Sequence, residues 1–191
     1  LLKVLIQQWG LQSPGQSLTF GRMIADSRTS VAFTGHRTYR GAAADALRRT
    51  VGELYALGFR TFLSGMAVGF DLAAAEAVLE LRERVPGVRL VAAVPFRGQE
   101  MRFSPADRER FRRVLAEADS VEVLAPAYHR GCYAVRNDFL VDNARVLVAW
   151  YDGSPGGTRY TVRRALGRGL EVVNLCPAAP VPPAPEPTLF G

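Results

Sequence analysis

The run Val146-Leu147-Val148-Ala149-Trp150-Tyr151 constrains this chain more than any other stretch. Apolar residues without polar alternation suit a strand covered on both faces, as in a parallel α/β sheet. The run breaks at Asp152-Gly153-Ser154-Pro155-Gly156-Gly157-Thr158, and Val162, Ala165 and Leu166 then recur with arginines between them, a helical pattern expected near Thr161–Gly167. Strand, glycine-rich turn and helix start together aim free backbone N–H groups at an anion. Glycine also lets a ligand approach the backbone with no Cβ in the way. The same loop serves equally as a βα turn that needs glycine for geometry alone.

The pattern recurs along the chain. Ser30–Thr34 reads as a strand running into Gly35-His36-Arg37, and Ala42–Leu57 as a helix ended by Gly58. Arg60–Leu63 is the second strand, followed by SGMAVGFD at 64–71 and an alanine-rich helix from Leu72 to Arg84. Val88–Val94 is the third strand, and Pro105–Ala118 a helix with Ser104 as its N-cap. Ser120–Leu124, a helix at Cys132–Asn143, the central run and Leu170–Leu175 complete the alternation. The expected fold is α/β, a Rossmann-like three-layer sandwich with a mostly parallel sheet of about six strands. Ligands on such sheets bind outside the C-terminal strand ends, where the strand order reverses.

The 191 residues suit one domain, expected at 29–176. Residues 1–28 show no clear period and read as a leader or peripheral segment, with the functional domain starting near Met23. Residues 177–191 carry six prolines and read as a mobile tail. Nothing approaches the about 18 uninterrupted apolar residues of a membrane span. Cys132 and Cys176 make no disulfide framework, so a reducing cytoplasm is the expected compartment. The formal charge of +6 is carried almost wholly by arginine, Lys3 being the only lysine. Scattered over every helix with no basic run, these arginines fit compositional bias as well as electrostatic nucleic-acid binding.

Four segments near strand ends collect polar and glycine residues: Gly35-His36-Arg37, Ser64–Asp71, Tyr128–Asp138 and Asp152–Thr158. None matches the Walker A or G-x-G-x-x-G fingerprints, which argues against a P-loop NTPase and a conventional dehydrogenase. Asp71 reads as an N-cap of the next helix, and Thr158 as a cap or a phosphate donor. His36 beside Arg37 is placed to hold an anion or to make a surface hydrogen bond. His129 and Cys132 lie three apart but lack further ligands, so no metal site is expected and no cofactor is required. With two histidines in the chain, no Ser-His-Asp or Cys-His constellation stands out.

Taken together, Thr34-Gly35-His36-Arg37, SGMAVGFDLAA at 64–74, Arg136-Asn137-Asp138 with Val141-Asp142, and Trp150-Tyr151-Asp152-Gly153 through Gly156-Gly157-Thr158 resemble the YpsA-like family of the SLOG superfamily. That Rossmann-like group includes DNA-processing protein A and the LONELY GUY phosphoribohydrolases, once labelled lysine decarboxylases. The resemblance covers roughly residues 30–176 and implies a pocket for a nucleotide or nucleotide derivative. SGMAVGFD is similar to the SG-x-A-x-G-x-D signature of DNA-processing protein A, which binds single-stranded DNA. Pro155–Thr158 resembles a shortened phosphoribohydrolase loop, P-G-G-x-G-T-x-x-E, and Arg136, ahead of a helix, is placed like that family's catalytic arginine. The loop's glutamate is missing, since Arg159, Tyr160, Thr161 and Val162 follow Thr158. Asp152 and Asp71 are the nearby carboxylates that remain for acid/base work.

The leading expectation is a domain that binds or senses a nucleoside phosphate or an ADP-ribose-like ligand. Its site would comprise Gly35, His36, Arg37, Ser64, Gly65, Met66, Ala67, Gly69, Asp71, Arg136, Asn137, Asp152, Gly153, Gly156, Gly157 and Thr158. Backbone amides of Gly65–Gly69 and Gly153–Thr158 would hold phosphate, Arg37 and Arg136 would add charge-assisted contacts, and Phe96 and Tyr128 are candidates to flank a base. Two alternatives stand beside it: hydrolysis of an N-glycosidic or phosphate bond in that pocket, with Arg136 and Asp152 as catalytic candidates, and single-stranded nucleic-acid binding. The expected partner is a nucleotide-like small molecule, with single-stranded nucleic acid and a homo-oligomer as alternatives and no membrane.

Overall fold

Alternate residues of the central strands divide between two apolar layers, and this division sets the architecture. In the computed structural model, which describes residues 27–177, six strands form one fully parallel sheet. They are β1 (Ser30–Gly35), β2 (Thr61–Ser64), β3 (Arg89–Val94), β4 (Ser120–Val123), β5 (Val146–Trp150) and β6 (Glu171–Asn174). Five helices alternate with them: α1 (Ala44–Ala56), α2 (Phe70–Arg82), α3 (Pro105–Glu117), α4 (Cys132–Asp142) and α5 (Gly157–Gly167). The expected doubly wound α/β sandwich is therefore what forms. Residues 1–26 and 178–191, which include the Met23 start and nearly all of the proline-rich tail, lie outside the described residues.

The sheet order is β4-β3-β2-β1-β5-β6. The chain walks outward from β1 to β4, then returns to place β5 on the other side of β1. Ala32 is in register with Leu63 of β2 and with Leu147 of β5. Right-handed crossovers then require α1, α2 and α3 on one face and α4 and α5 on the other. The packing agrees. Val31, Phe33, Val146 and Val148 meet Leu47 and Val51 of α1, Leu72 and Val78 of α2, and Phe111 of α3. Ala32, Leu63, Leu147 and Ala149 meet Leu140 and Val141 of α4 and Val162 and Ala165 of α5. β1 and β5 are thus covered on both sides, the physical reason for their unbroken apolar runs.

Ser104 does cap α3, its hydroxyl accepting from the Asp107 amide at 3.1 Å. Two other helix starts depart from expectation. α2 begins at Phe70, not Leu72, and its N-cap is Gly69 at φ +84°, so Asp71 is the second residue inside the helix and not the cap. α5 begins at Gly157, well before Thr161, with Gly156 as N-cap at φ +138°; Thr158 likewise lies inside the first turn. Both corrections have one cause. A glycine in an extended or left-handed conformation turns the chain into the helix, leaving the polar side chain two residues on to face inward.

Candidate functional site

The strand order reverses between β1 and β5, and their C-terminal ends define a crevice. His36 leaves β1 there, its amide donating to the Trp150 carbonyl of β5 at 3.3 Å. Its Nε2 lies 2.8 Å from Oδ1 of Asp152, which leaves β5. The same carboxylate oxygen accepts from the Ser154 amide at 2.9 Å, forming a local turn. Hydrogen bonding from the Ser154 side chain and amide, together with the neighbouring His36, holds the Asp152 carboxyl below its ordinary range. The base of this loop is fixed by Asn174 of β6, whose side chain accepts from the Tyr151 amide at 3.0 Å and donates to the Tyr151 carbonyl at 2.9 Å.

One strand further out, the β2–α2 loop is closed. Ser64 Oγ donates to the Asp71 carbonyl at 2.8 Å and accepts from the Met66 amide at 3.2 Å. The Ala67 amide reaches Asp71 Oδ2 at 3.4 Å. Two of the amides expected to face a phosphate are therefore committed inside the loop. Met66 is the one non-glycine residue with positive φ among those described, at +57°, and Gln99 holds its carbonyl with an Nε2 contact of 2.7 Å. Such a conformation costs energy and persists only where its surroundings impose it. Gln99 went unnoticed in the sequence, since nothing about its position in the β3–α3 connection signals a contact with residue 66.

Arg136 lies within the second turn of α4, inside the helix expected at Cys132–Asn143, and is buried. Its Nη1 donates to the Gly65 carbonyl and, at 3.1 Å, to Asp71 Oδ2. A Cβ on Gly65 would lie 2.7 Å from both the Arg136 Cζ and Asp71 Oδ2, so glycine is required there by space. Burial pushes the Asp71 carboxyl up, opposed by the charges of Arg136 and Arg37 and the amides of Ala67 and Gly35. Burial pushes the Arg136 guanidinium down, opposed chiefly by Asp71. Asp71 Oδ1 and Arg136 Nε are buried without a hydrogen-bond partner among the described residues. The pair is thus only partly satisfied.

The next residue of α4, Asn137, turns to the other opening, where its Nδ2 is 3.5 Å from the Gly157 carbonyl at the start of α5. Consecutive side chains of one helix therefore reach both glycine-rich loops. The β5–α5 loop itself is exposed from Asp152 through Gly157, and only Thr158 is buried. Gly156 would meet nothing within 4 Å if given a Cβ. Its helix presents first-turn N–H groups that have no carbonyl ahead of them.

The remaining candidates separate into two groups. Gly35 underlies the crevice, where a Cβ would lie 2.6 Å from Cγ of Phe70. Arg37 is exposed beside it, its guanidinium 5.1 Å from the centroid of the Tyr133 ring. Phe96 is buried against Ala125 and Cys132, whereas Tyr128 is 55% exposed. His129 and Cys132 do not act together, because His129 points outward and Cys132 is buried. Both cysteines are free. Glu100 is a buried carboxylate that the sequence did not single out, with Oε2 lacking a partner among the described residues.

A parallel sheet of this order, with α4 bridging two glycine openings at the reversal, defines a Rossmann-like α/β domain. The profile of the YspA SLOG family matches residues 32–169, and the chain belongs to that family. Among curated relatives, a UPF0398 protein of Bacillus cereus (strain G9842) is 26% identical over 158 residues, covering 75% of this chain and 85% of its own. Another, from Bacillus thuringiensis (strain Al Hakam), is 29% identical over 132 residues, covering 68% and 71% respectively. DNA processing protein A from Streptococcus pneumoniae has a similar fold, with a TM-score of 0.56 at 20% identity over 75% of this chain. This chain spans about half of that protein, 48% of its length. DNA processing protein A from Helicobacter pylori, whose structure describes a single-stranded DNA binding mode, matches with a TM-score of 0.54 at 16% identity, covering 77% of this chain and 68% of its own. No helix among the described residues is long and apolar enough to cross a membrane.

Proposed function

We infer that the crevice between β1 and β5 binds a phosphorylated nucleotide-like ligand, a nucleoside phosphate or an ADP-ribose derivative. The observation that carries this reading is the adjacency of Arg136 and Asn137, which reach the β2–α2 and β5–α5 openings from one turn of α4. In this reading the phosphate sits at the exposed α5 start, over Gly156, Gly157 and Thr158, where amides and helix dipole favour an anion. Arg37 adds positive charge from the β1 side. The β2–α2 loop, with Ser64, Gly65, Met66, Ala67, Gly69 and Asp71, acts as the rigid wall against which Arg136 is held. Calorimetry with a panel of nucleoside phosphates and ADP-ribose on wild type and Gly157→Glu tests it. Heats that vanish in the variant support the site; absence of binding to every member by wild type overturns it.

A second reading, hydrolysis of the ligand's N-glycosidic or phosphate bond, draws on the His36–Asp152 pair. Asp152 is exposed at the crevice and its carboxyl stays ionised, so it could stabilise positive charge at a ribosyl carbon but not donate a proton. Product release from nucleoside monophosphates, compared between wild type, Asp152→Asn and Arg136→Ala, decides this. A third reading, single-stranded nucleic acid, draws on the positive charge and on the Helicobacter pylori neighbour. Binding of an oligonucleotide that weakens steeply with salt is its signature.

A further inference from the structure

The connections after β3 and β4 bring three aromatic rings together beside the crevice. Phe96 and Tyr128 have centroids 5.4 Å apart, Phe96 and Tyr133 5.8 Å, and Tyr128 and Tyr133 6.5 Å. Phe96 is the buried floor. Tyr128 stands above it, and neither tyrosine hydroxyl makes a hydrogen bond with a described residue. Two guanidiniums bracket the group: Arg37 lies 5.1 Å from the Tyr133 centroid and Arg102 5.5 Å from that of Tyr128. On α2, α3 and α5, Arg82, Arg110, Arg113 and Arg164 are held by carboxylates. Arg37 and Arg102 make no salt bridge with any described residue. Two cations outside any salt bridge among the described residues, resting on aromatic rings, suit an anionic ligand that also carries a flat ring. The group borders the crevice directly, because Arg37 follows the end of β1 and its partner Tyr133 lies three residues before Arg136 on α4.

We propose that Tyr128 and Tyr133, flanked by Arg37 and Arg102, form a base-stacking subsite, so that the ligand of the crevice is recognised by its heterocycle as well as its phosphate. This rests on the nucleotide reading above and adds the residues that select for the base. Phe96 supports the two tyrosines from below, and the arginines offer stacking planes and charge to the base and its adjoining phosphate. Sugar phosphates without a base fill only half of the site.

The test compares adenosine 5′-monophosphate with ribose 5-phosphate, which share the phosphate and the sugar, by calorimetry on the full chain. Wild type is expected to bind the base-bearing probe about tenfold more tightly or better, the scale of one stacked base. Tyr128→Ala, at an exposed position, and Tyr133→Leu, which keeps the ring's bulk apolar, are each expected to shrink that ratio; Tyr128→Phe is expected to keep it. Equal affinity for the two probes in wild type overturns the subsite while leaving phosphate recognition standing. No binding of either probe removes the crevice reading and the subsite together. A ratio preserved in both Tyr128→Ala and Tyr133→Leu, or a parallel loss of both probes, also overturns it.

Discussion

The two glycine-rich helix openings look alike in one dimension and differ in three. In the β2–α2 loop, glycine is required because other atoms occupy the space: a Cβ on Gly65 would strike Arg136, and one on Gly69 would lie 2.6 Å from the His36 carbonyl oxygen. In the β5–α5 loop a Cβ on Gly156 would meet nothing within 4 Å and one on Gly157 only Asn137 Nδ2 at 3.8 Å, and Gly153 and Gly156 serve a positive-φ backbone. The first loop uses its own amides and the second leaves its helix start open to solvent. A glycine-rich turn before a helix therefore has two physical meanings, and only the open one is suited to receive an anion.

The sharpest way to break this contrast is to remove the charge pair that seals the closed loop. Asp71→Ala or Arg136→Ala strands a buried charge and is expected to destabilise the protein by about 3–5 kcal/mol in chemical denaturation. The double variant Asp71→Leu with Arg136→Met should recover much of that loss. Additive losses in the double variant would show that the two residues are not a coupled pair. Next in size, Gly69→Ala should lower stability by roughly 2–4 kcal/mol, combining a left-handed backbone with a clash against carbonyl groups. Gly156→Ala, strained but unobstructed, should lose only about 1 kcal/mol. Equal losses at the two positions would erase the distinction between the loops.

Gly157→Glu should leave stability within about 0.5 kcal/mol of wild type. It should nevertheless weaken nucleotide binding about tenfold or more, through like charge at the open helix start. Unchanged affinity would move the phosphate away from α5. The smallest effect is a pH dependence at Asp152. Its carboxyl is held below the ordinary range in the folded protein, so the stability it contributes is present above an unfolded pKa of about 3.9 and fades as the pH falls through the folded value. Thermal melts of Asp152→Asn should lack that acid-side component, and melting curves of both proteins that run parallel from pH 5 to 3 would count against it.

Legibility in the sequence followed the range of the physics. Val146–Trp150 was readable because burial on both faces leaves an unbroken apolar run within one strand, and Ser104 because capping is settled within three residues. Asp71 was misread because a carboxylate at a helix start resembles a cap; its actual partner, Arg136, lies 65 residues away. Gln99 on the Met66 carbonyl and the Phe96–Tyr128–Tyr133 group depend on which loops the sheet order places side by side. No periodicity encodes such neighbours. Composition also concealed Arg37 and Arg102, since only the fold brings them against Tyr133 and Tyr128.

The close approach of Arg136 to Gly65 has a consequence for descent. A guanidinium already fills the volume that any side chain at position 65 would need, although 71 residues separate the two in the chain. Position 65 therefore cannot drift alone: a larger residue there becomes admissible only in a lineage that has first shortened the residue at 136. Where relatives of this chain carry a residue larger than glycine at 65, a residue shorter than arginine is expected at 136.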